Sequence, residues 1–161
     1  MNVYPLVFGV RHAIAGRGFL AGVSVNGRAL LEADEDGLWW MTSVEPGGLT
    51  ASGETPDAAY ANFRETLRLV LFDSAHLTDS LDAFEVDAKS LGRERNTAAE
   101  ARWDAARQEI RGGAALDVDF AAALPRLTKD VTCGVTVLRL DKTEHEFKPQ
   151  DNKPDKLLTA A

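Results

Sequence analysis

The chain of 161 residues contains a single cysteine, Cys133, and three histidines. One thiol cannot form a disulfide within the chain, so nothing in the sequence indicates an oxidising compartment. The histidines, His12, His76 and His145, are too far apart in sequence for any metal-binding motif. We therefore expect neither a disulfide framework nor a metal or other cofactor.

Long apolar runs are also missing. The apolar stretch of residues 3–10 has no basic residue before it and ends at Arg11 and His12, so it is too short and wrongly flanked for a signal peptide. Nothing in the chain approaches the run of about 20 apolar residues that a membrane-spanning helix needs. The sequence predicts a cytoplasmic protein that does not contact a membrane.

Basic residues are outnumbered and dispersed. Eighteen Lys and Arg residues stand against 25 Asp and Glu residues, which gives a formal net charge of −7. An acidic surface repels phosphate backbones, and an acid interrupts the densest basic stretch, Arg93-Glu94-Arg95. We expect no direct nucleic-acid binding. The acidic body suits either a basic protein partner or solubility alone.

No catalytic arrangement stands out. Cys133 lies in an apolar run, where a buried and unreactive thiol is the usual state. The tripeptide Glu144-His145-Glu146 cannot chelate a metal jointly, because neighbouring strand residues point to opposite faces. Gly16-Arg17-Gly18 precedes a strand rather than a helix, which favours a strand connection over a phosphate-binding loop.

We therefore do not expect an enzyme. One catalytic hypothesis remains, namely a site assembled from the scattered carboxylates Asp34, Asp36 and Glu54.

Residues 19–74 are the most informative part of the chain, because β-type segments alternate there with turn residues. Asn26-Gly27 separates two such segments and predicts a hairpin, since a type I′ turn needs positive φ at both central positions. Asp34-Glu35-Asp36-Gly37 predicts a second tight turn.

Two adjacent tryptophans, Trp39 and Trp40, lie in the most hydrophobic predicted strand, residues 38–44. Successive residues of a strand point to opposite faces of the sheet. We expect one indole under the following helix and the other on the far face. There it is either covered by the C-terminal half or exposed as an interaction patch.

A well-capped helix is predicted from Pro56. Thr55 is suited to the N-cap, proline to the first helical position, and Asp57 to the positive end of the helix dipole. Its apolar face consists of Ala59, Tyr60, Phe63, Leu67, Val70 and Leu71. Leu69 and Phe72 fall outside this face and imply a second contact surface near the helix end.

Two further helices and a strand are predicted in the C-terminal half. The second helix has an apolar face formed by Leu81, Phe84, Ala88 and Leu91. The third has an inner face of Ala99, Trp103, Ala106 and Ile110. Thr97 and Glu100 fit a capping box at its start, and Gly112-Gly113 ends it. A last strand follows at residues 133–140, and the tail from Glu144 is expected at the surface.

These patterns predict an α+β fold. It consists of an antiparallel β-meander with a helix packed on one face, followed by two helices and a C-terminal strand. We divide the chain into residues 1–76, the meander and first helix, and residues 77–161. The second part is a helical extension with the C-terminal strand and tail, packing on the same core.

Two stretches resemble the HicB-like family. They are Gly37-Leu38-Trp39-Trp40 through Pro46-Gly47, and Gly53-Glu54-Thr55-Pro56-Asp57-Ala58-Ala59-Tyr60-Ala61-Asn62 through Leu67. In that family a Gly-aromatic strand leads to a Pro-Gly turn, then to Gly-Asp-Thr and an acidic, Ala-rich helix. The resemblance covers about residues 28–75, under a third of the chain. The chain looks most similar to stand-alone bacterial members that carry two further helices and a C-terminal strand.

The resemblance implies a truncated ribonuclease-H-like fold with a helix on one face of an antiparallel sheet. It also implies an antitoxin that binds and blocks a small basic ribonuclease, often with a C-terminal DNA-binding module. Two departures are evident. Ser43-Val44-Glu45-Pro46-Gly47 replaces the usual Pro-Asp-Leu-Pro-Gly, and the C-terminal half shows no DNA-binding module, so we do not expect a repressor.

Two binding hypotheses follow. In the first, a protein of the HicB-like, antitoxin type sequesters a small basic protein through its acidic surface and a sheet edge. In the second, a stand-alone HicB-like module of unknown ligand forms a homodimer through an exposed tryptophan. The candidate interaction residues are Trp39, Trp40, Asp34, Glu35 and Asp36.

Overall fold

The computed structural model describes residues 3–114, 119–125, 132–141 and 159–160. The elements within these ranges follow in the order β1 (Val3–Ala15), β2 (Leu20–Ala33), β3 (Trp39–Glu45), β4 (Thr50–Gly53), α1 (Pro56–Leu77), α2 (Leu81–Arg93), α3 (Thr97–Arg111), α4 (Asp119–Ala123), β5 (Gly134–Arg139) and β6 (Thr159–Ala160). In these parts of the chain, no helix combines the length and the apolar character needed to span a membrane.

The strands form one antiparallel sheet in the order β4-β3-β2-β1-β6, and β5 also pairs with β2. β1 and β2 pair along their whole length, from Val3 opposite Glu32 to Ala15 opposite Leu20. The other edge of β2 is shared, because β5 pairs with residues 21–26 and β3 with residues 28–33. The predicted α+β class with an antiparallel sheet is confirmed.

The hairpin predicted at Asn26-Gly27 is wrong, since β2 runs straight through both residues. Asn26 lies opposite Gly9, Gly27 lies opposite Phe8, and neither has a positive φ. A Cβ atom on Gly27 would lie 2.2 Å from the backbone oxygen of Glu45 and 2.5 Å from the Phe8 ring. The glycine therefore permits close approach at the point where the neighbour of β2 changes from β5 to β3.

The first hairpin turn lies at Gly16-Arg17-Gly18 instead. β1 continues past residue 10 to Ala15, and the N–H of Gly16 donates a 2.9 Å hydrogen bond to the carbonyl of Phe19. Gly18 has a φ of 80°, a conformation that a side chain disfavours. The predicted strand connection is confirmed, and it is the turn that joins β1 to β2.

Helices cover both faces of the sheet. On the near face, defined by the side chains of Tyr4 and Phe8, α1 and α2 cover the larger apolar cluster. Its largest fully buried members include Phe8, Ile14, Leu31, Met41, Phe63, Leu67, Leu71 and Phe84. On the far face, defined by Val7 and Leu30, α3 covers a smaller cluster. Trp103 of α3 anchors there, and its indole N–H donates a 3.1 Å hydrogen bond to the carbonyl of Leu6.

The helix starts follow local side-chain chemistry. Thr55 caps α1 as predicted, and its hydroxyl accepts the N–H of Ala58 at 3.1 Å. The capping box predicted from Thr97 and Glu100 is wrong. Asn96 is the N-cap of α3, and its Oδ1 accepts the N–H of Ala99 at 3.1 Å. Asparagine is a stronger cap than threonine, and Glu100 is drawn instead to a cation on the sheet.

The C-terminal end differs from the prediction. The strand expected at residues 133–140 is β5, but β6 follows it and pairs with β1 at Leu6 and Val7. Ala160 in β6 is buried, and its N–H donates a 2.8 Å hydrogen bond to the carbonyl of Pro125. Residues 159–160 therefore return to the sheet. Residues 142–158, which hold Glu144-His145-Glu146 and most of the predicted surface tail, lie outside the described residues.

Candidate interaction site

Asp34 organises the acidic turn between β2 and β3. Its Oδ1 accepts the backbone N–H groups of Asp36 at 3.0 Å and of Leu38 at 2.9 Å. Gly37 has a φ of 82°, and its N–H donates to the carbonyl of Asp34 at 3.1 Å. The turn predicted at residues 34–37 is confirmed, because an aspartate at its start can satisfy the free amides of the turn.

The second oxygen of Asp34 holds a tryptophan. The indole N–H of Trp40 donates a 2.9 Å hydrogen bond to Oδ2. This bond, together with the backbone N–H groups of Leu38 and Asp36, lowers the pKa of the Asp34 carboxyl below its ordinary value. Asp34 therefore stays ionised and acts as the scaffold of the turn.

The two tryptophans lie on opposite faces, as predicted. Trp39 packs against the near-face cluster, and its ring lies 6.2 Å from that of Tyr4, with the planes at 40°. Trp40 lies on the far face opposite Glu32 and is half-buried. Its position is therefore intermediate between the two alternatives of full coverage and full exposure.

An open cleft of about 360 Å³ lies at this end of the sheet, lined by Tyr4, Ala33, Asp34, Glu35 and Trp39. Three of the predicted interaction residues, Asp34, Glu35 and Trp39, are thus brought together. The other two do not line the cleft, because Asp36 is exposed at the turn and Trp40 is on the far face. Sequence reasoning missed Tyr4 and Ala33.

Only the strand register could have identified Tyr4 and Ala33 as cleft residues. Ala33 is paired with Trp39, and Tyr4 is paired with Leu31 in the neighbouring row. A hairpin at Asn26-Gly27 would have paired the two halves of β2 with each other and left β1 elsewhere. The correct pairing of β1 with β2 was required to place Tyr4 beside the turn.

The β4 edge of the sheet is already partly occupied. β4 has four residues, and the Asn62 side chain on α1 donates a 2.8 Å hydrogen bond to the carbonyl of Ser52. Ser43 donates its N–H to Leu49, so alternation along the antiparallel ladder turns the Ser52 carbonyl away from β3. Strand addition at this edge would have to displace Asn62, which disfavours it as the contact.

A compact ionic network joins α3 to the far face. Nη2 of Arg28 lies 3.0 Å from Oε2 of Glu45 and 2.7 Å from Oε1 of Glu100. The guanidinium also lies 5.1 Å from the centre of the Trp103 ring. Arg28 lowers the pKa of the Glu100 carboxyl, so Glu100 stays charged beside it. This is the partner that draws Glu100 away from the helix cap.

Cys133 lies beside this network and just before β5 rather than inside it. Burial, reinforced by the negative charge of Glu45, raises the pKa of its thiol. A raised pKa keeps the thiol protonated at neutral pH, and the thiolate is the nucleophilic form. Arg28 opposes this effect more weakly, so the balance leaves the thiol in its less nucleophilic form.

His12 lies on β1 and faces α1 on the near side of the sheet. Its Nε2 is buried and has no hydrogen-bond partner within the described ranges. Burial and the positive charge of Arg64 lower the pKa of His12. Among the residues described, no group of three or more His, Cys, Asp or Glu side chains is placed to hold a metal ion.

The chain was compared with models of protein families, with curated protein sequences and with solved structures. None of the three comparisons found a match.

Proposed function

We propose that this chain is a non-enzymatic binding protein of the HicB-like, antitoxin type that sequesters a small basic protein. The observation that carries the proposal is the cleft, where the acidic turn of Asp34 and Glu35 meets the aromatic side chains of Tyr4 and Trp39. Aromatic side chains with an adjacent charge are typical of contact points that contribute strongly to protein binding. A net charge of −7 favours encounter with a cationic partner.

The fold is compatible with the proposal. The four strands β4-β3-β2-β1 lie side by side in meander order, and all of them precede α1 in the sequence. Helix α1 packs on one face of this sheet, as the HicB-like resemblance implies. The resemblance includes turn and cap positions with clear structural roles, such as Gly37 with its positive φ and Thr55 as an N-cap. These roles support the fold-level part of the proposal, which includes the truncated ribonuclease-H-like assignment.

The family-like Pro46-Gly47 turn is used inside the molecule. The N–H of Gly47 donates to the carbonyl of Glu94 at 2.8 Å, and the N–H of Asn96 donates to the carbonyl of Val44 at 2.9 Å. The turn is therefore docked on the α2–α3 connection, and its backbone is partly occupied. The acidic turn at the opposite end of β3 is left as the better contact surface.

The chemistry of the site favours binding over catalysis. The Asp34 carboxylate accepts three hydrogen bonds and has a lowered pKa, so it is poorly suited to proton transfer near neutral pH. Cys133 has a raised pKa, which disfavours the thiolate, its nucleophilic form. We propose a cytoplasmic location and no direct contact with nucleic acid or membrane, in keeping with the lone cysteine and the acidic charge.

The test is affinity purification of the tagged chain from its source cells after nuclease treatment, followed by intact-mass analysis. Stoichiometric co-elution of a short basic protein, and inhibition of any ribonuclease activity it has, is the expected result. Glu35→Gln with Asp36→Asn should weaken the complex. Asp87→Asn with Asp104→Asn removes two exposed acids elsewhere and is the matched control. Elution of the chain alone contradicts the proposal.

A second candidate is a stand-alone HicB-like module of unknown ligand that acts as a homodimer. It is favoured by exposed apolar side chains on α1, since Leu69 is 46% and Phe72 is 37% exposed. The half-buried Trp40 offers a separate apolar contact on the far face. Light scattering across a concentration series distinguishes the two, because only this candidate requires a dimer without any partner.

A further inference from the structure

We infer that the cleft beside the acidic turn takes one arginine side chain, with Trp39 as its aromatic wall, the buried Tyr4 as the support of that wall, and Glu35 as its carboxylate partner. The inference rests on the proposed function in one respect, namely that the arginine belongs to the basic partner protein. It goes further because it names the side chain that the cleft binds. The net acidic charge of the surface indicates only that the partner is positively charged.

The aromatic wall is held in place before any ligand arrives. Tyr4 is 3% exposed and belongs to the near-face core, where it is paired with Leu31 across β1 and β2. Trp39 is half-buried and is fixed between Ala33 and Gly53 by the ladders on its two sides. Tryptophan is the best aromatic partner for a cation, and a preorganised wall lowers the entropy lost on binding.

The two carboxylates of the cleft, Asp34 and Glu35, differ in their hydrogen-bond partners. Both oxygens of Asp34 accept hydrogen bonds from within the protein, donated by the backbone N–H groups of Asp36 and Leu38 and by the indole N–H of Trp40. Within the described ranges, Glu35 forms no side-chain hydrogen bond or ion pair and is exposed at the rim. Glu35 is therefore the carboxylate that can pair with an incoming cation, while Asp34 contributes charge and rigidity.

The modest size of the cleft is compatible with a single side chain. Its volume of about 360 Å³ lies near the lower end of the ~300–1,000 Å³ range of small-molecule sites. Arginine fits this chemistry better than lysine, because a planar guanidinium can stack on an aromatic ring and still offer two N–H groups to a carboxylate. Lysine provides only a compact charge.

The experiment is an NMR titration of the full chain, observing the indole N–H signals of Trp39, Trp40 and Trp103. The probe is the capped tripeptide acetyl-Gly-Arg-Gly-amide, and the control peptide carries citrulline, an uncharged isostere, in place of arginine. Trp39→Phe assigns the Trp39 signal. We expect a saturable shift of that signal with the arginine peptide and none with the citrulline peptide, while the Trp103 signal stays unchanged.

Matched variants identify the pairing group. Glu35→Gln should weaken binding of the arginine peptide by about two- to fivefold, the range of an exposed ion pair. Asp36→Asn removes the same charge from the same turn but lies outside the cleft, and it should change the affinity less than Glu35→Gln does. Equal loss in the two variants, or equal binding of the citrulline peptide, overturns the inference.

The outcomes separate this inference from the proposed function. If the arginine peptide binds as described but no basic protein co-purifies, the cleft chemistry stands and the antitoxin-type proposal fails. If a basic protein co-purifies with an affinity that Glu35→Gln leaves unchanged, the proposed function stands and the inference fails. Circular dichroism of each variant verifies that the fold is retained.

Discussion

The indole N–H of Trp40 donates a 2.9 Å hydrogen bond to Oδ2 of Asp34, and so ties a far-face side chain to the turn that borders the near-face cleft. Six residues separate the two in sequence, and a single reversal of the chain brings them together. The same carboxylate holds the turn amides, so removing it should disturb the turn and Trp40 together. This relationship leads to the first of four predictions.

Asp34→Ala should lower the melting temperature and move the Trp40 indole N–H signal toward that of a free indole. The loss occurs because three donors, including the indole, lose their acceptor at once. Asp36→Asn, in the same turn, is the control. Because the folded pKa of Asp34 is lowered, its contribution is fully present above pH 4 and is lost as pH falls through the folded value. An unchanged melting temperature at pH 7 contradicts the prediction.

Arg28→Met should destabilise the protein by about 1–2 kcal/mol, between the values for exposed and fully buried ion pairs. The change leaves Glu45 and Glu100, both largely covered, with only the more exposed Arg95, which lies 3.8 and 3.9 Å from them, and it removes the contact with Trp103. Urea unfolding gives the measurement.

Arg102→Met is its control, since Arg102, which lies on α3 like Glu100, pairs with Glu32 at a more exposed place. It should cost less than about 1 kcal/mol. Equal losses in the two variants would show that the coverage of the Arg28 network has no energetic consequence.

Gly27→Ala should destabilise the protein by about 2 kcal/mol or more, because the added methyl would meet the Glu45 backbone oxygen and the Phe8 ring. Gly134→Ala is the matched change, since a Cβ atom there meets nothing within 4 Å. That variant should be neutral or slightly stabilising. Thermal and urea unfolding of the pair make the comparison. If Gly27→Ala is as stable as Gly134→Ala, the strands around Gly27 can move apart to accommodate a methyl group, and the prediction is wrong.

His12→Gln should flatten the dependence of stability on pH between about 7 and 5. In the folded chain the pKa of His12 is lowered below the ordinary 6.5. The unfolded chain therefore binds the proton first, so stability is fully present above pH 6.5 and falls as pH drops toward the folded pKa. Arg64 and Arg68 oppose the protonated ring, and Glu65 favours it more weakly. Free energies of unfolding at several pH values test this, and an identical slope in the variant is the contrary result.

The sequence predicted local structure correctly where one residue type satisfies the hydrogen-bonding or backbone requirement of a helix start or a turn. Thr55 and Pro56 define the start of α1, and Asp34 with Gly37 defines the acidic turn, because the donors and acceptors involved lie within a few residues. Helical spacing likewise identified the buried Phe63, Leu67 and Leu71. Opposite placement of Trp39 and Trp40 followed from strand geometry alone.

Long-range contacts decided the remainder. Asn26-Gly27 has the composition of a turn, but pairing with β1 on one side and with β3 and β5 on the other outweighs that local preference. Glu100 suits a capping box, but Arg28 lies 2.7 Å away in the folded chain, 72 residues earlier in sequence. By itself the sequence determined helices α1, α2 and α3, the acidic turn and the alternation of the tryptophans, since short-range sterics and hydrogen bonding control them. Only the tertiary structure placed Tyr4 beside Trp39 and Glu35, because strand register depends on burial summed over the whole sheet.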